Sequence, residues 1–336
     1  MKKNFDKIDI WKFIFSICII ALHTLLLTSF DDSVNWYITH GLFRLAVPFF
    51  FVVAGFFYGR KIVEKKGNIK KITSNYIKKI FCPFLFWLGI GLPAEFINTY
   101  NGNVIDTMLI LIKKVFFYPW GALWYLLALM VAVWILSKFY QKNSFYLPVL
   151  IGFFLYLFAL VSNSYYFIID NIPIFRNLID LYNKIFISSR NGIFVGILLV
   201  SIGVIISKMY RENKLFRVRN NIFGFLLCYI LLILEMTLIR NRVYMDDHSL
   251  FIIMPVLMFF LISLLLQFSK DKSYLRLRNY SIILYLVHRP VIAYIKLFFD
   301  IAYGIDLFTI VFPISIILSY LLRKSKIKFI KLVTMT

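Results

Sequence analysis

The sequence predicts an all-α fold: a polytopic membrane helix bundle of about ten transmembrane helices, with both termini cytoplasmic. Three observations predict it. First, 61% of the 336 residues are hydrophobic and only 16% charged, with a mean hydropathy of +0.81. A soluble domain carries about 45–50% apolar and about 25% charged residues. A soluble enzyme, a disordered chain and a fibrous protein are therefore excluded. Second, the apolar residues fall in runs of about 20, the length a helix needs to cross a hydrocarbon core of about 30 Å. Third, the 38 Lys and Arg outnumber the 16 Asp and Glu and gather in alternate loops, the pattern that fixes membrane orientation.

The runs lie at roughly residues 10–30, 40–59, 80–99, 119–138, 146–164, 190–207, 221–239, 249–268, 280–299 and 305–322. Basic clusters precede the first run and follow the second, fourth, sixth, eighth and tenth, as in Arg60 to Lys79, Lys208 to Arg219 and Arg323 to Lys331. The opposite loops carry Asp31, Asp32, Asp170, Asp180, Asp246 and Asp247. This alternation places the even-numbered exits inside. Residues 104–118, with Asp106, Lys113 and Lys114, read as an amphipathic interfacial or re-entrant piece on the outer side. The first run is too long for a cleavable signal peptide and lacks its small-residue site. No internal repeat and no Gly/Ser linker interrupts the chain, so residues 1–336 read as a single transmembrane domain. The net charge of +22 belongs to topology, and no nucleic-acid partner is expected. Cys18, Cys82 and Cys228 lie in or beside apolar runs without metal-ligand spacing, so no disulfide and no metal site is expected.

A titratable group in hydrocarbon costs several kcal/mol unless it meets a partner or a cavity. Such groups form the functional shortlist. In the first run, ten residues lie between Lys12 and His23, an offset of eleven. That is about three turns, so both share one helix face about 16 Å apart. The pair suits a long anionic ligand entering from the cytoplasm, with the imidazole as general base. Arg44 follows His40 by one turn, ahead of Pro48 and Gly55, which allow a bend. Trp120, Trp124 and Tyr125 open the fourth run as belt residues or as an acceptor-stacking wall. Arg190 enters the sixth run, and Asp247 and His248 the eighth, where they could orient an acceptor. His288 and Arg289 lie halfway along the ninth run, before Pro290, which predicts a broken helix.

Four segments in this order resemble the membrane-bound acyltransferase-3 family: Ile8-Asp9, Lys12 and Ala21-Leu22-His23; Arg44 with Val47-Pro48-Phe49-Phe50; Leu123-Trp124-Tyr125-Leu126; and Tyr285-Leu286-Val287-His288. Arg190-Asn191-Gly192 and Asp247-His248-Ser249 look like the membrane half of the vancomycin-resistance serine racemases. The resemblance implies a ten-span enzyme of the bacterial cytoplasmic membrane. It would take an acyl group, usually acetyl, from cytoplasmic acyl-coenzyme A to a hydroxyl of an extracytoplasmic glycan or a small-molecule acceptor. Acyl-coenzyme A is then a co-substrate, and no permanently bound cofactor is implied. His23 matches the family's essential histidine, and Lys12 stands where its arginine holds the coenzyme. Lysine keeps the charge but loses the bidentate fork. Arg44 matches the family's second-span arginine, and Asp31 and Asp32 are the candidates for its acidic residue, Asp31 being the one assigned to the site. His288 and Arg289 are further candidates for contacting the coenzyme; Trp124, Tyr125, Arg190, Asp247 and His248 are candidates for the acceptor. The competing reading is a transporter or delivery module for a small molecule such as serine, with the same midplane groups forming its pocket.

Overall fold

The computed structural model describes residues 4–64, 68–242 and 248–335. All regular structure among them is helical. The α-helices are α1 (Asp6–His23), α2 (Asp32–Gly41), α3 (Ala46–Glu64), α4 (Ile69–Thr99), α5 (Val104–Phe117), α6 (Trp124–Gln141), α7 (Leu147–Val161), α8 (Pro173–Phe186), α9 (Ile197–Arg211), α10 (Val218–Arg240), α11 (Met254–Phe268), α12 (Leu275–Phe298), α13 (Ile305–Lys324) and α14 (Lys328–Val333). A π-helical turn, Gly192–Gly196, leads into α9.

Among the described residues, seven helical segments are long and apolar enough to cross a membrane: Asp32–Val63, Ile69–Thr99, Trp124–Gln141, Gly192–Arg211, Val218–Arg240, Leu275–Phe298 and Ile305–Lys324. The other three expected runs form α1, with 18 residues, and the shorter apolar helices α7 and α11, with 15 each. The 14 residues of α5 span about 21 Å, short of a crossing. Its exposed Ile105, Met108, Leu109, Ile112 and Phe116 form an apolar face.

Three local expectations are corrected. The first helix ends at His23, not near residue 30, because Leu25 turns left-handed with φ 55°. His40 and Arg44 do not share a helix: α2 ends at Gly41, and Arg44 stands in a 3-10 turn, Phe43–Leu45. Pro48 therefore falls in the first turn of α3, just after that interruption, where an N–H has no helical acceptor to lose. Pro290 does not break its helix, since α12 runs unbroken from Leu275 to Phe298. What it removes is one N–H, leaving the Leu286 carbonyl without its helical donor.

By internal contacts the chain divides into two compact units. The first comprises Met1–Ile8, Arg44–Ile77 and Ala128–Ser273; the second Asp9–Phe43, Lys78–Leu127 and Tyr274–Thr336. In the first unit, α3 packs against α9 at backbone distance. A Cβ built on Gly55 would stand 2.1 Å from the Val200 carbonyl oxygen, and one on Gly203 2.1 Å from that of Val52. Small residues at such a crossing let membrane helices gain dispersion contacts that lipid would otherwise supply. Glu235, within α10, accepts the Tyr165 hydroxyl and the N–H groups of Ile252 and Ile253, fixing the approach to α11.

In the second unit, Ile20, Leu284, Ile292, Leu307 and Val311 form the apolar core joining α1, α12 and α13. Arg278 donates to both Asp9 carboxylate oxygens, at 2.9 and 2.8 Å, and Ser281 Oγ donates to the Lys12 carbonyl at 3.0 Å. A bidentate charged pair fixes register as well as proximity. It aligns the starts of α1 and α12 and so sets which residues meet farther along.

Candidate functional site

What meets is His23 and His288. Their rings stack with centroids 5.4 Å apart and planes 25° apart. His23 is the last residue of α1 and half-buried; His288 lies inside α12 with no exposed surface. The His288 Nδ1 is 3.0 Å from the Leu284 carbonyl. A carbonyl only accepts, so Nδ1 carries the hydrogen, and in the neutral ring Nε2 presents a lone pair. That Nε2 has no hydrogen-bond partner among the described residues.

Aromatic rings extend the site on its α12 side. Tyr285 lies 6.1 Å from the His288 ring and meets Tyr125 edge-on at 5.7 Å. Its hydroxyl donates to the Ala122 carbonyl, tying α12 to the turn before α6. Trp124 stacks on Tyr118 at 5.7 Å and 13°. Beyond Tyr285 is a narrow cavity whose walls include Trp120, Gly121, Tyr285 and Arg289. Lys12 shares the α1 helix with His23, half-buried and one turn from the Asp9–Arg278 pair.

The other sequence candidates are placed separately. Asp31 is exposed and caps α2, its Oδ1 accepting from the N–H groups of Ser33 and Val34 at 2.8 and 3.3 Å. Arg44 belongs to the first unit, as do Arg190 and His248. There Arg190 Nη1 reaches Ser249 Oγ at 3.4 Å, and Ser249 donates its N–H to Asn163 Oδ1 at 3.0 Å. Asn191 caps the π-turn and donates to the Tyr182 hydroxyl at 2.9 Å. The Tyr182 hydroxyl donates in turn to the Ser188 carbonyl at 3.5 Å, and burial pushes its phenol up. His248 is buried beside this network. Asp247 lies outside the described residues.

Sequence reasoning missed the Asp9–Arg278 pair, the Trp120 cavity and Glu235. Glu235 had a usable signal, since a carboxyl in the middle of an apolar run meets the same criterion that selected His288.

The model of the acyltransferase-3 family, described as an acyltransferase domain, matches residues 5–324. The chain belongs to the acyltransferase-3 family. With its long apolar helices, this member of the family is a multi-pass membrane protein. It is similar to an amino-acid racemase of Enterococcus faecalis, 24% identical over 87% of this chain and 42% of the relative. It is also similar to a serine/alanine racemase of Enterococcus gallinarum, 26% identical over 85% of this chain and 40% of the relative. The chain thus spans about two fifths of the length of these relatives. No solved structure matches it significantly.

Proposed function

We propose that this protein is a membrane O-acyltransferase. It moves a short acyl group, acetyl by preference, from cytoplasmic acyl-coenzyme A to a hydroxyl of an extracytoplasmic glycan or related acceptor. The observation that carries this reading is the stacked His23–His288 pair in a chain of the acyltransferase-3 family. Acyl transfer to a hydroxyl needs a group that takes the hydroxyl proton as the oxygen attacks, and imidazole is the usual one. In the proposed step His23 takes that proton and the acceptor oxygen bonds to the thioester carbonyl carbon. The tetrahedral adduct collapses, the C–S bond breaks, and the coenzyme thiolate receives the proton. His288 positions the His23 ring and can pass the proton through its open Nε2. Lys12 seats coenzyme phosphates at the inner mouth, as a point charge. Ten crossings with cytoplasmic termini, in the cytoplasmic membrane of a bacterium, give the helix carrying Lys12 and His23 one end toward each side.

The test is release of free coenzyme A from radiolabelled acetyl-coenzyme A by purified protein in nanodiscs, with label followed into acceptor or acetate. His23→Ala is expected to lower turnover by about 10²–10⁴-fold, the usual worth of a general base, with thermal unfolding unchanged. Wild-type turnover in His23→Ala contradicts the reading, and so does coenzyme-independent uptake of labelled serine by an otherwise inert protein.

A further inference from the structure

The cavity beyond Tyr285 contains a buried donor with nothing to donate to. Trp120 is nine-tenths buried, and its indole N–H has no hydrogen-bond partner among the described residues. Leaving such a group unpaired costs about 1–3 kcal/mol, so it calls for an acceptor. Gly91 of α4 lies against the indole, where a Cβ would stand 2.6 Å from its nitrogen. Arg289 reaches the same cavity from α12. Its side chain lies against Gly121, where φ is +68° and a Cβ would meet Arg289 Cβ at 3.0 Å. Glycine alone combines that backbone with that contact without strain. The cavity's carboxylate, Glu95, is held by Lys114 Nζ at 2.7 Å. Arg289 and the Trp120 indole thus both line a space walled on one side by the Tyr285 ring. That ring also faces His288, at 6.1 Å. The fitting ligand is small, with one strong acceptor oxygen and a short apolar tail.

We infer that this cavity is the acyl subsite: Trp120 Nε1 and Arg289 hold the carbonyl oxygen of the thioester, and the Gly91–Trp120 contact limits the acyl chain to two or three carbons. The inference rests on the acyltransferase reading. As the acceptor oxygen attacks, the carbonyl π pair moves onto that oxygen, where the two donors meet the developing charge. It returns as the C–S bond breaks. Donors aimed at the place where charge develops lower the barrier without reorganising.

The experiment compares acetyl-, propionyl-, butyryl- and octanoyl-coenzyme A with wild-type protein, Trp120→Phe and Trp120→Ala, all in nanodiscs. Trp120→Phe keeps the ring and loses the N–H. It should lower kcat for acetyl transfer by about 10²–10³-fold with little change in KM, the cost of one oxyanion donor. Trp120→Ala should raise the butyryl-to-acetyl ratio of kcat/KM at least tenfold. As a readout independent of turnover, the ¹⁵N-indole resonance of Trp120 should move downfield when the uncleavable ketone analogue acetonyl-coenzyme A is added. An active wild type with unchanged Trp120→Phe kinetics, an unchanged chain-length profile or a static indole resonance overturns this inference alone. A wild type inert toward every thioester overturns the acyltransferase reading and this inference with it.

Discussion

His288 has one ring nitrogen committed to the Leu284 carbonyl and the other open, beside a second imidazole. If this pair handles the acceptor proton, replacing His288 by Asn, which can still donate to Leu284, should cut acyl transfer at least about tenfold, within the range of acid–base contributions. Its unfolding midpoint should stay near wild type; a fully active His288→Asn protein would remove the second imidazole from the account. Asp31 separates two roles as cleanly. As the cap of α2, its replacement by Ala should cost about 0.5–2 kcal/mol, while Asn should cap nearly as well. Denaturation of both variants, with turnover of Asp31→Asn, distinguishes a cap from a working carboxylate: loss of activity in the Asn variant would assign the carboxylate to the chemistry. His23 and His288 were legible in the sequence because hydrocarbon makes a titratable group conspicuous. Trp120 was legible only as a belt residue or stacking wall, because an indole at the end of an apolar run shows no more than that until Gly91 and Arg289 are seen around it.

Helices α1 and α12 bring the two rings together, and the Asp9–Arg278 pair aligns their starts. Asp9 is buried and Arg278 partly exposed, so Asp9→Ala should destabilise by about 3 kcal/mol, the lower end for breaking a buried pair. It should also depress turnover, since misregistry of α1 displaces His23. A variant with wild-type stability and turnover would show that the pair is dispensable. The α3–α9 crossing carries a separate expectation. Gly55→Ala drives a methyl into the Val200 carbonyl and should cost at least about 1–3 kcal/mol, read as a lower unfolding midpoint. An unchanged midpoint would mean that the helices are not packed this closely. The apolar runs located these helices well, because burial in lipid and burial in protein both demand continuous hydrophobicity. Their ends were harder. The left-handed turn at Leu25 carries no glycine to announce it, and the 3-10 turn around Arg44 is marked only by Gly41 at the end of α2. Pro290 misled in the opposite sense, since a proline deletes one hydrogen bond without obliging the helix to stop. Helix α8 went unread because its polar residues masked a 14-residue amphipathic stripe between two longer runs.

Ten crossings with cytoplasmic termini require the 270–274 loop and the 170–172 loop to face opposite sides of the bilayer. Single cysteines at these loops, in a background with Cys18, Cys82 and Cys228 replaced by Ser, should label with a membrane-impermeant maleimide from the cytoplasmic and outer faces respectively. Labelling of both from one face would invert part of the bundle and separate Lys12 from the coenzyme. The basic loops are the sequence's ground for expecting this orientation. Composition holds no information on how side chains from distant helices converge, and so the cavity lined by Trp120 and Arg289 emerged only from the folded chain. The most direct measurement loads proteoliposomes of oriented protein with labelled acetyl-coenzyme A on the cytoplasmic-equivalent side and follows acetyl label on the other. The account predicts label crossing as acetate or acetylated acceptor, with free coenzyme A retained, and loss of both signals in His23→Ala. Label that stays with the thioester in the wild type, or crosses equally in His23→Ala, would contradict it.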